Sequence, residues 1–445
     1  MLDKRGAPVH MAAMTPEPAS APGGARAAMP AAAHTALGRQ ARTLAGFQLI
    51  VPPGQRLGPL WIETQQLMRR VAAVPPADSQ VPILTPFAPL RVLADEGASA
   101  ALLTAPQDVL AQLRAGRGLV VFDGSNEGRP LLRPHVAHMH AALAASGIAP
   151  GRAAWVQQNR CLAAAYAAHC AAEGLAPMRV VVAHSHAAGL WARLMGGRAQ
   201  ESWPFGFAIQ HDGPRPSRWV CLNYNLRPHR ALLVAWLRER PEPGFLSFSV
   251  TRETHGRTGA ARLLAGAAEL APADPDGARA AVARLLESGL HQGSDIDGFG
   301  HPNERIYSLP LDAVAGAELF IVTETEMLGT GLLRWTEKTL KAISSGLPFI
   351  VFGNHGVVAA LAGLGFDMLG DIVDHGYDAE PNPACRFAAA RAAVARFLAR
   401  PPGFTAHELA RLRAASAHNR GVFADALLRD ALLDPVDAIL SAAAG

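Results

Sequence analysis

The segments Ala317-Glu-Leu-Phe-Ile-Val-Thr323, Thr336-Glu-Lys-Thr-Leu-Lys-Ala-Ile-Ser-Ser345 and Gly346-Leu-Pro348-Phe-Ile-Val-Phe-Gly353 decide the fold. Residues 317–323, apolar apart from Glu318 and Thr323, have the length of a buried strand, and Pro348 opens a second such run. Between them Thr336 is a good helix N-cap, and Glu337 falls in the first turn, where the helix dipole favours a carboxylate. Gly346 ends that helix. Buried strand, helix and buried strand in this order predict a parallel sheet covered on both faces.

The same alternation runs outward from this stretch. Upstream, Trp219 to Asn223 reads as a strand, 229–240 as a helix, Phe245 to Val250 as a strand and 276–289 as a helix. Downstream, 356–364, 386–398 and 405–440 read as helices. An earlier alternation begins near Thr43, with strands at 46–51 and 90–94, a helix at 106–115, and the buried strand Gly118-Leu-Val-Val-Phe122. The loop Asp123-Gly-Ser-Asn-Glu-Gly-Arg129 follows, then a helix at 134–146, a strand at 153–156, a helix at 160–173 and a strand at 178–183. The pattern predicts an α/β chain of two Rossmann-like domains facing a cleft. Residues 1–44, rich in Ala, Pro, Gly and Met without periodicity, are expected to be a disordered leader. The boundaries expected are 45–215 for the first domain, 216–400 for the second and 401–445 for C-terminal helices.

Composition narrows the chemistry. A formal charge of +4 over 445 residues is too weak a footprint for a nucleic-acid binder, and it suits an anionic substrate such as a diphosphate. Cys161, Cys170, Cys221 and Cys385 form no CxxC pair and read as reduced core residues of a cytoplasmic protein. No apolar run reaches the roughly 18 residues of a membrane span, so at most peripheral contact with the inner face of a membrane is expected. No Walker A or GxGxxG motif is present, which removes ATPase and NAD-dependent readings. The chain has only three lysines, and two of them, Lys338 and Lys341, stand on the helix that Thr336 caps. That helix start has two readings: a cap with a surface charge, or an N-terminus facing a diphosphate that Lys338 neutralises.

Taken together, Asp295-Ile-Asp297-Gly298, Leu319-Phe-Ile-Val-Thr-Glu324, Trp335-Thr-Glu-Lys338 and Ala342-Ile-Ser-Ser-Gly346-Leu-Pro348-Phe-Ile-Val-Phe-Gly353 resemble the donor-binding half of the α-1,3-fucosyltransferases. Cys221-Leu-Asn223-Tyr-Asn-Leu-Arg227-Pro-His-Arg230 resembles that family's Ser-Asn segment, and also a broad group of uncharacterised bacterial and phage proteins. The resemblance covers roughly residues 219–380. It implies a GT-B arrangement, a nucleotide-sugar donor as co-substrate, an inverting transfer and no protein-held metal or other cofactor. It further implies that Arg230 and Lys338 bind the diphosphate, that Glu324 and Glu337 meet the ribose or sugar, and that Asn223, Arg227 and Thr336 support them. Thr325 stands where the family has Asn, and Arg334-Trp335 replaces its Tyr-Val, so the family's own donor is not fixed by the match. The acceptor would be a glycan, a lipid-linked glycan or a protein. Glu127, on a loop after a strand, is the candidate base, with Asp123 second.

Three rival signals remain. Met178-Arg-Val-Val-Val-Ala183-His184-Ser185-His186-Ala187 approaches the nucleophile elbow of a serine esterase, but Ala183 and Ala187 stand where the glycines belong. Its triad would need Asp371 or Asp374 with His418. Asp295-Ile-Asp297 and Asp274-Pro-Asp276 match a two-residue metal–diphosphate motif that chance also produces, and His135, His138, Met139 and His140 share a helix without an acidic partner. A non-catalytic module that binds a glycan or nucleotide sugar is the other alternative.

Overall fold

A computed structural model describes residues 29–71, 80–86, 104–195, 203–211, 213–223, 225–250, 259–289, 291–292 and 306–445. The first sheet holds β1 (Phe47–Ile50), β2 (Val81–Leu84), β3 (Leu119–Gly124), β4 (Ala153–Gln157) and β5 (Arg179–Val182), side by side in chain order and all parallel. Its side chains sort with the period of two expected of strands. Val120, Phe122 and Trp155 face one cluster, with α3 (Gln107–Arg114), α4 (Arg133–Ala145) and α5 (Leu162–Glu173). Leu119, Val121, Ala154 and Val156 face the other, with α1 (Ala31–Leu44), α2 (Pro59–Met68) and α6 (Ser185–Leu194).

The second sheet contains β6 (Trp219–Leu222), β7 (Gly244–Ser249), β8 (His291–Gln292), β9 (Phe320–Thr323) and β10 (Phe349–Phe352), in the order β10-β9-β6-β7-β8. All its pairs are parallel except β7 with β8. This is the doubly wound order, in which β6 and β9 are neighbours and the winding reverses between them. A crevice opens at the carboxyl ends of two such strands. Helix α7 (Pro228–Arg238) leaves the end of β6, with α8 (Ala260–Leu270), α9 (Pro275–Glu287) and α10 (Leu311–Ala315) following. Helix α11 (Glu337–Ser345) joins β9 to β10, and α12 (Val357–Gly363), α13 (Pro383–Leu398) and α14 (Ala406–Ala424) complete the layer. Side chains fix several starts: Asp274 caps α9, Asn382 caps α13, and Thr405 with Glu408 forms a capping box on α14.

Both Rossmann-like parallel layers anticipated from the alternation are present, with three differences in detail. Residues 31–44, expected to belong to a disordered leader, form α1, while 1–28 lie outside the described residues. Leu37 and Ala41 of α1 are buried, and Gln40 donates to the Leu433 carbonyl (2.7 Å) and to Asp437 (2.9 Å). The second strand is Val81–Leu84, and the strand expected at 90–94 lies outside the described residues, as does Asp295-Ile-Asp297-Gly298. Pro82 argues against a central strand, which hid this one. Residues 203–211, inside the expected first domain, pack on α11: Trp203 donates to Ser344 Oγ (3.0 Å), and the Gly206 amide to the Ser344 carbonyl (2.8 Å).

After α14 the chain crosses back. Ala426–Leu428, a π turn at Arg429–Leu433 and α15 (Asp434–Ala444) bring it onto the first sheet, where α15 meets β2, β3 and β5. No helix among the described residues is long and apolar enough to cross a membrane. Ile439 of α15 is fully buried in the cluster that joins it to the first sheet. Ile439→Ala should therefore cost about 2–5 kcal/mol through lost burial and the cavity left behind, read as a lower urea midpoint. A change within about 0.5 kcal/mol, the size of an ordinary surface substitution, would contradict the docking of α15 on this sheet.

Candidate functional site

The carboxyl ends of the two sheets meet along one seam. The first unit contributes the loop after β3 (125–129), the loop after β4 (158–160) and the start of α6, and the second the ends of β6 and β9 and the start of α11. Asn159 is the main tie: its Nδ2 donates to the carbonyls of Arg129 (2.8 Å) and Gly331 (2.9 Å), and its Oδ1 accepts from the Leu333 amide (3.0 Å). The Arg160 amide donates to the Leu333 carbonyl (2.9 Å). Arg334 is buried and crosses to donate to Gln158 Oε1 (3.0 Å). A Cβ at Gly128 would come within 2.6 Å of Arg334 Cδ, so only glycine leaves room for that crossing. Trp335 lies between the His184 ring, stacked at 4.9 Å, and the Arg160 guanidinium, 4.2 Å from the indole centroid. Arg160 also pairs with Asp430 of the π turn. The two units and the returning C-terminus are thus clasped at one place.

The residues singled out from the sequence converge here, in two classes. Asn223, Arg230 and Glu324 are internal. Asn223 is buried, accepts from Thr323 Oγ (2.6 Å) and so ties the end of β6 to the end of β9. Arg230, expected on a diphosphate, is buried and donates to the carbonyls of Asn225 (2.8 Å), Thr323 (3.2 Å) and Glu324 (2.9 Å). Burial and the neighbouring Arg227 push its guanidinium down to about 10. Glu324, expected to meet a ribose, is buried and accepts four hydrogen bonds, from the Thr325 amide (3.2 Å), the Thr336 amide (2.9 Å), Thr336 Oγ (2.6 Å) and Thr339 Oγ (2.5 Å). A carboxylate offers about four lone-pair positions, and these are taken. Both residues build the switch point instead of projecting from it.

Thr336, Glu337, Lys338 and Arg227 form the second class. Thr336 caps α11, accepting from the Lys338 amide. Glu337 is buried against Lys338, whose Nζ lies 2.6 Å from its carboxylate. Burial alone would raise the Glu337 pKa, yet Lys338, His186 and Lys341 together hold it well below the usual carboxylate range. Burial drives Lys341 the other way, down to about 7 despite Glu337. Lys338 and Arg227 keep about a third of their side chains exposed (30% each), and Arg227 pairs with Glu326 at 3.0 Å.

Arg227 also lines a cavity of about 550 Å³, the crevice between the ends of β6 and β9. Arg129 and Pro130 of the first unit close it from the far side, and Arg262 of α8 and Glu326 complete its polar wall. Arg129 reaches Glu326 at 3.5 Å. Arg129, Arg262 and Glu326 were not among the residues picked from the sequence. Arg129 ends a loop that the strand pattern exposed, whereas Arg262 sits on a helix the pattern did not reveal.

Glu127 is half-buried in the β3–α4 loop, its carbonyl accepting from the Gln158 amide (2.9 Å). Asp123 is buried and takes the amides of Leu60 (3.0 Å) and Ser125 (2.9 Å), and burial raises its pKa. It anchors the start of α2 and is no base on the cleft. The esterase triad is not assembled. Ser185 Oγ has no hydrogen-bond partner among the described residues, Asp371 and Asp374 are held by Arg411 and Arg396, and His418 contacts the Gly365 carbonyl. His135 and Met139 are buried in α4, and among the described residues no cluster of His, Cys, Asp and Glu could hold a metal ion. Compared with protein-family models, curated proteins and solved structures, the chain matches none of them.

His229 makes this site sensitive to acid. Its Nε2 lies 2.9 Å from the Glu324 carbonyl, and burial, reinforced by Arg230, pushes its pKa down to about 3. An unfolded imidazole titrates near 6.5, so between these values the unfolded chain binds more protons than the folded one. Stability therefore falls as the pH drops below about 6.5. The melting temperature should be lower at pH 5 than at pH 7, and His229→Gln should remove part of that difference. A fall of wild-type size in the variant would contradict the assignment.

Proposed function

We propose that the protein is a glycosyltransferase of the GT-B kind, moving a sugar from a nucleotide-sugar donor to an acceptor hydroxyl with inversion and without a protein-held metal. The observation that carries this reading is the crevice at the β6–β9 switch point, walled by Arg129, Arg227 and Arg262. Crevices of this kind take nucleotides in open α/β sheets. Three guanidinium groups around one cavity suit a diphosphate, which accepts bidentate hydrogen bonds and develops charge as it leaves the sugar. Glu326, paired with Arg129 and Arg227, is the carboxylate a phosphate would displace from them. The resemblance across residues 219–380 supports the same chemistry, with the donor contacts moved from Arg230 and Glu324 to these arginines and Lys338.

The acceptor, a glycan, a lipid-linked glycan or a protein, would approach from the first unit. On that unit Glu127 lies on the β3–α4 loop, and His184 and His186 stand at the start of α6. A thermal-shift series with GDP, UDP, CDP and ADP sugars, without divalent metal, tests the reading. One nucleotide family should raise the melting temperature, since a ligand at 100 times its Kd adds about 2.7 kcal/mol to the native state. Arg227→Ala should weaken that response about tenfold or more, the loss of one charge-assisted contact, and leave the unliganded melting temperature nearly unchanged. No shift with any family would overturn the proposal, and binding without release of the nucleotide would make the protein a binding module.

A further inference from the structure

We infer that His186, and not Glu127, takes the proton from the acceptor hydroxyl. This rests on the transferase reading and adds a catalytic residue to it. His186 is the second residue of α6, just past the carboxyl end of β5, where parallel sheets present reactive groups. Its ring is half-buried. Its Nδ1 lies 3.5 Å from the Tyr307 hydroxyl. Tyr307 reaches that position because residue 189 is glycine: a Cβ there would come within 2.4 Å of the phenol oxygen. The Arg193 guanidinium covers the other part of the phenol ring, 5.0 Å from its centroid.

The groups facing His186 suit a base that is neutral at rest. Burial, Lys338 and Arg334 oppose protonation, Glu337 favours it, and the net effect is a pKa below the ordinary 6.5. The positive end of α6 acts in the same direction as the two cations. His184, the preceding residue, is buried, and its pKa too lies well below 6.5. Once a proton arrives, the ionised Glu337 carboxylate across the seam stabilises the imidazolium, the role a buried acid plays beside a catalytic histidine. Ser185 Oγ, which is buried, has no partner among the described residues. It can donate and accept, as the recognition of sugar hydroxyls requires. Helix α6, which carries His186, packs against α11, which carries Glu337 and Lys338.

In the step proposed, the acceptor O–H proton passes to the free ring nitrogen as the acceptor oxygen bonds to C1 of the donor sugar. The C1–O bond to the diphosphate breaks, and its electron pair leaves with the nucleoside diphosphate. The imidazolium then gives its proton to solvent, and no other reactant is needed.

The test uses the full chain, the nucleotide sugar that gives the largest thermal shift, and water as acceptor, with release of nucleoside diphosphate measured from pH 5 to 8. His186→Gln should lower the rate about 100-fold or more, the usual contribution of a general base, without changing the donor-induced thermal shift. The wild-type rate should fall at acid pH with an apparent pKa below about 6.5, a limb that the variant lacks. Glu127→Gln should stay within threefold of wild type. His186→Asn should repeat the result should His186→Gln fold poorly. A His186→Gln rate within threefold of wild type, or a 100-fold loss in Glu127→Gln, overturns the assignment and leaves donor binding intact. Failure of every nucleotide sugar to bind removes the transferase reading itself, and the inference with it.

Discussion

The side chain of Glu324 fixes the end of β9 to the start of α11, and its backbone carbonyl fixes the same point to α7. Its carboxylate collects the Thr336 amide and hydroxyl and the Thr339 hydroxyl, all from α11 or its cap. Its carbonyl meets the Arg230 guanidinium and the His229 ring, both from the first turn of α7. Hydrogen bonds to an ionised group are stronger than neutral ones, and in a buried place an unmade one is costly. One residue thereby locks the two helices that flank the switch point, and the crevice between their starts inherits a fixed shape.

That lock divides the cations into buried ones and partly exposed ones. Arg230 is consumed by carbonyls, whereas Arg227, three residues earlier, keeps a partly exposed guanidinium. From the other unit Arg129 arrives at the same carboxylate of Glu326. Its approach depends on the seam, where Asn159 holds the Arg129 carbonyl and Arg334 passes over Gly128. The seam in turn depends on the C-terminal run, because Asp430 of the π turn holds Arg160, and Arg160 covers Trp335. Packing far from the crevice therefore sets the distance between the arginines.

Much of this architecture is legible in the sequence, for identifiable reasons. The runs at 119–124, 153–157, 320–323 and 349–352 are mostly apolar and buried on both faces, and the last pair is joined by a helix that begins at the cap Thr336. β2 was hidden by Pro82, and α1 by an alanine-rich composition whose buried face is defined only by the helix it packs on. The candidate site was legible as a neighbourhood. Asn223, Arg227, Arg230, Glu324 and residues 336–338 do come together, but their roles were not readable, because the occupancy of Glu324 is decided by Thr336 and Thr339, 12 and 15 positions away. Arg129 and Arg262 had no local signature. They meet Arg227 only through the strand order and the seam.

The central claim is that the crevice between β6 and β9 holds the diphosphate of a nucleotide. Hydrogen exchange with mass-spectrometric readout, in the presence of GDP, UDP, CDP and ADP in turn, tests it most directly. One nucleotide should slow exchange in peptides covering 225–230, 326–333 and 127–130, while peptides from β1, β2 and α13 remain unchanged. Slowing by none of them, or slowing confined to the separate hollow around Arg215, Phe404 and Arg413, would contradict it.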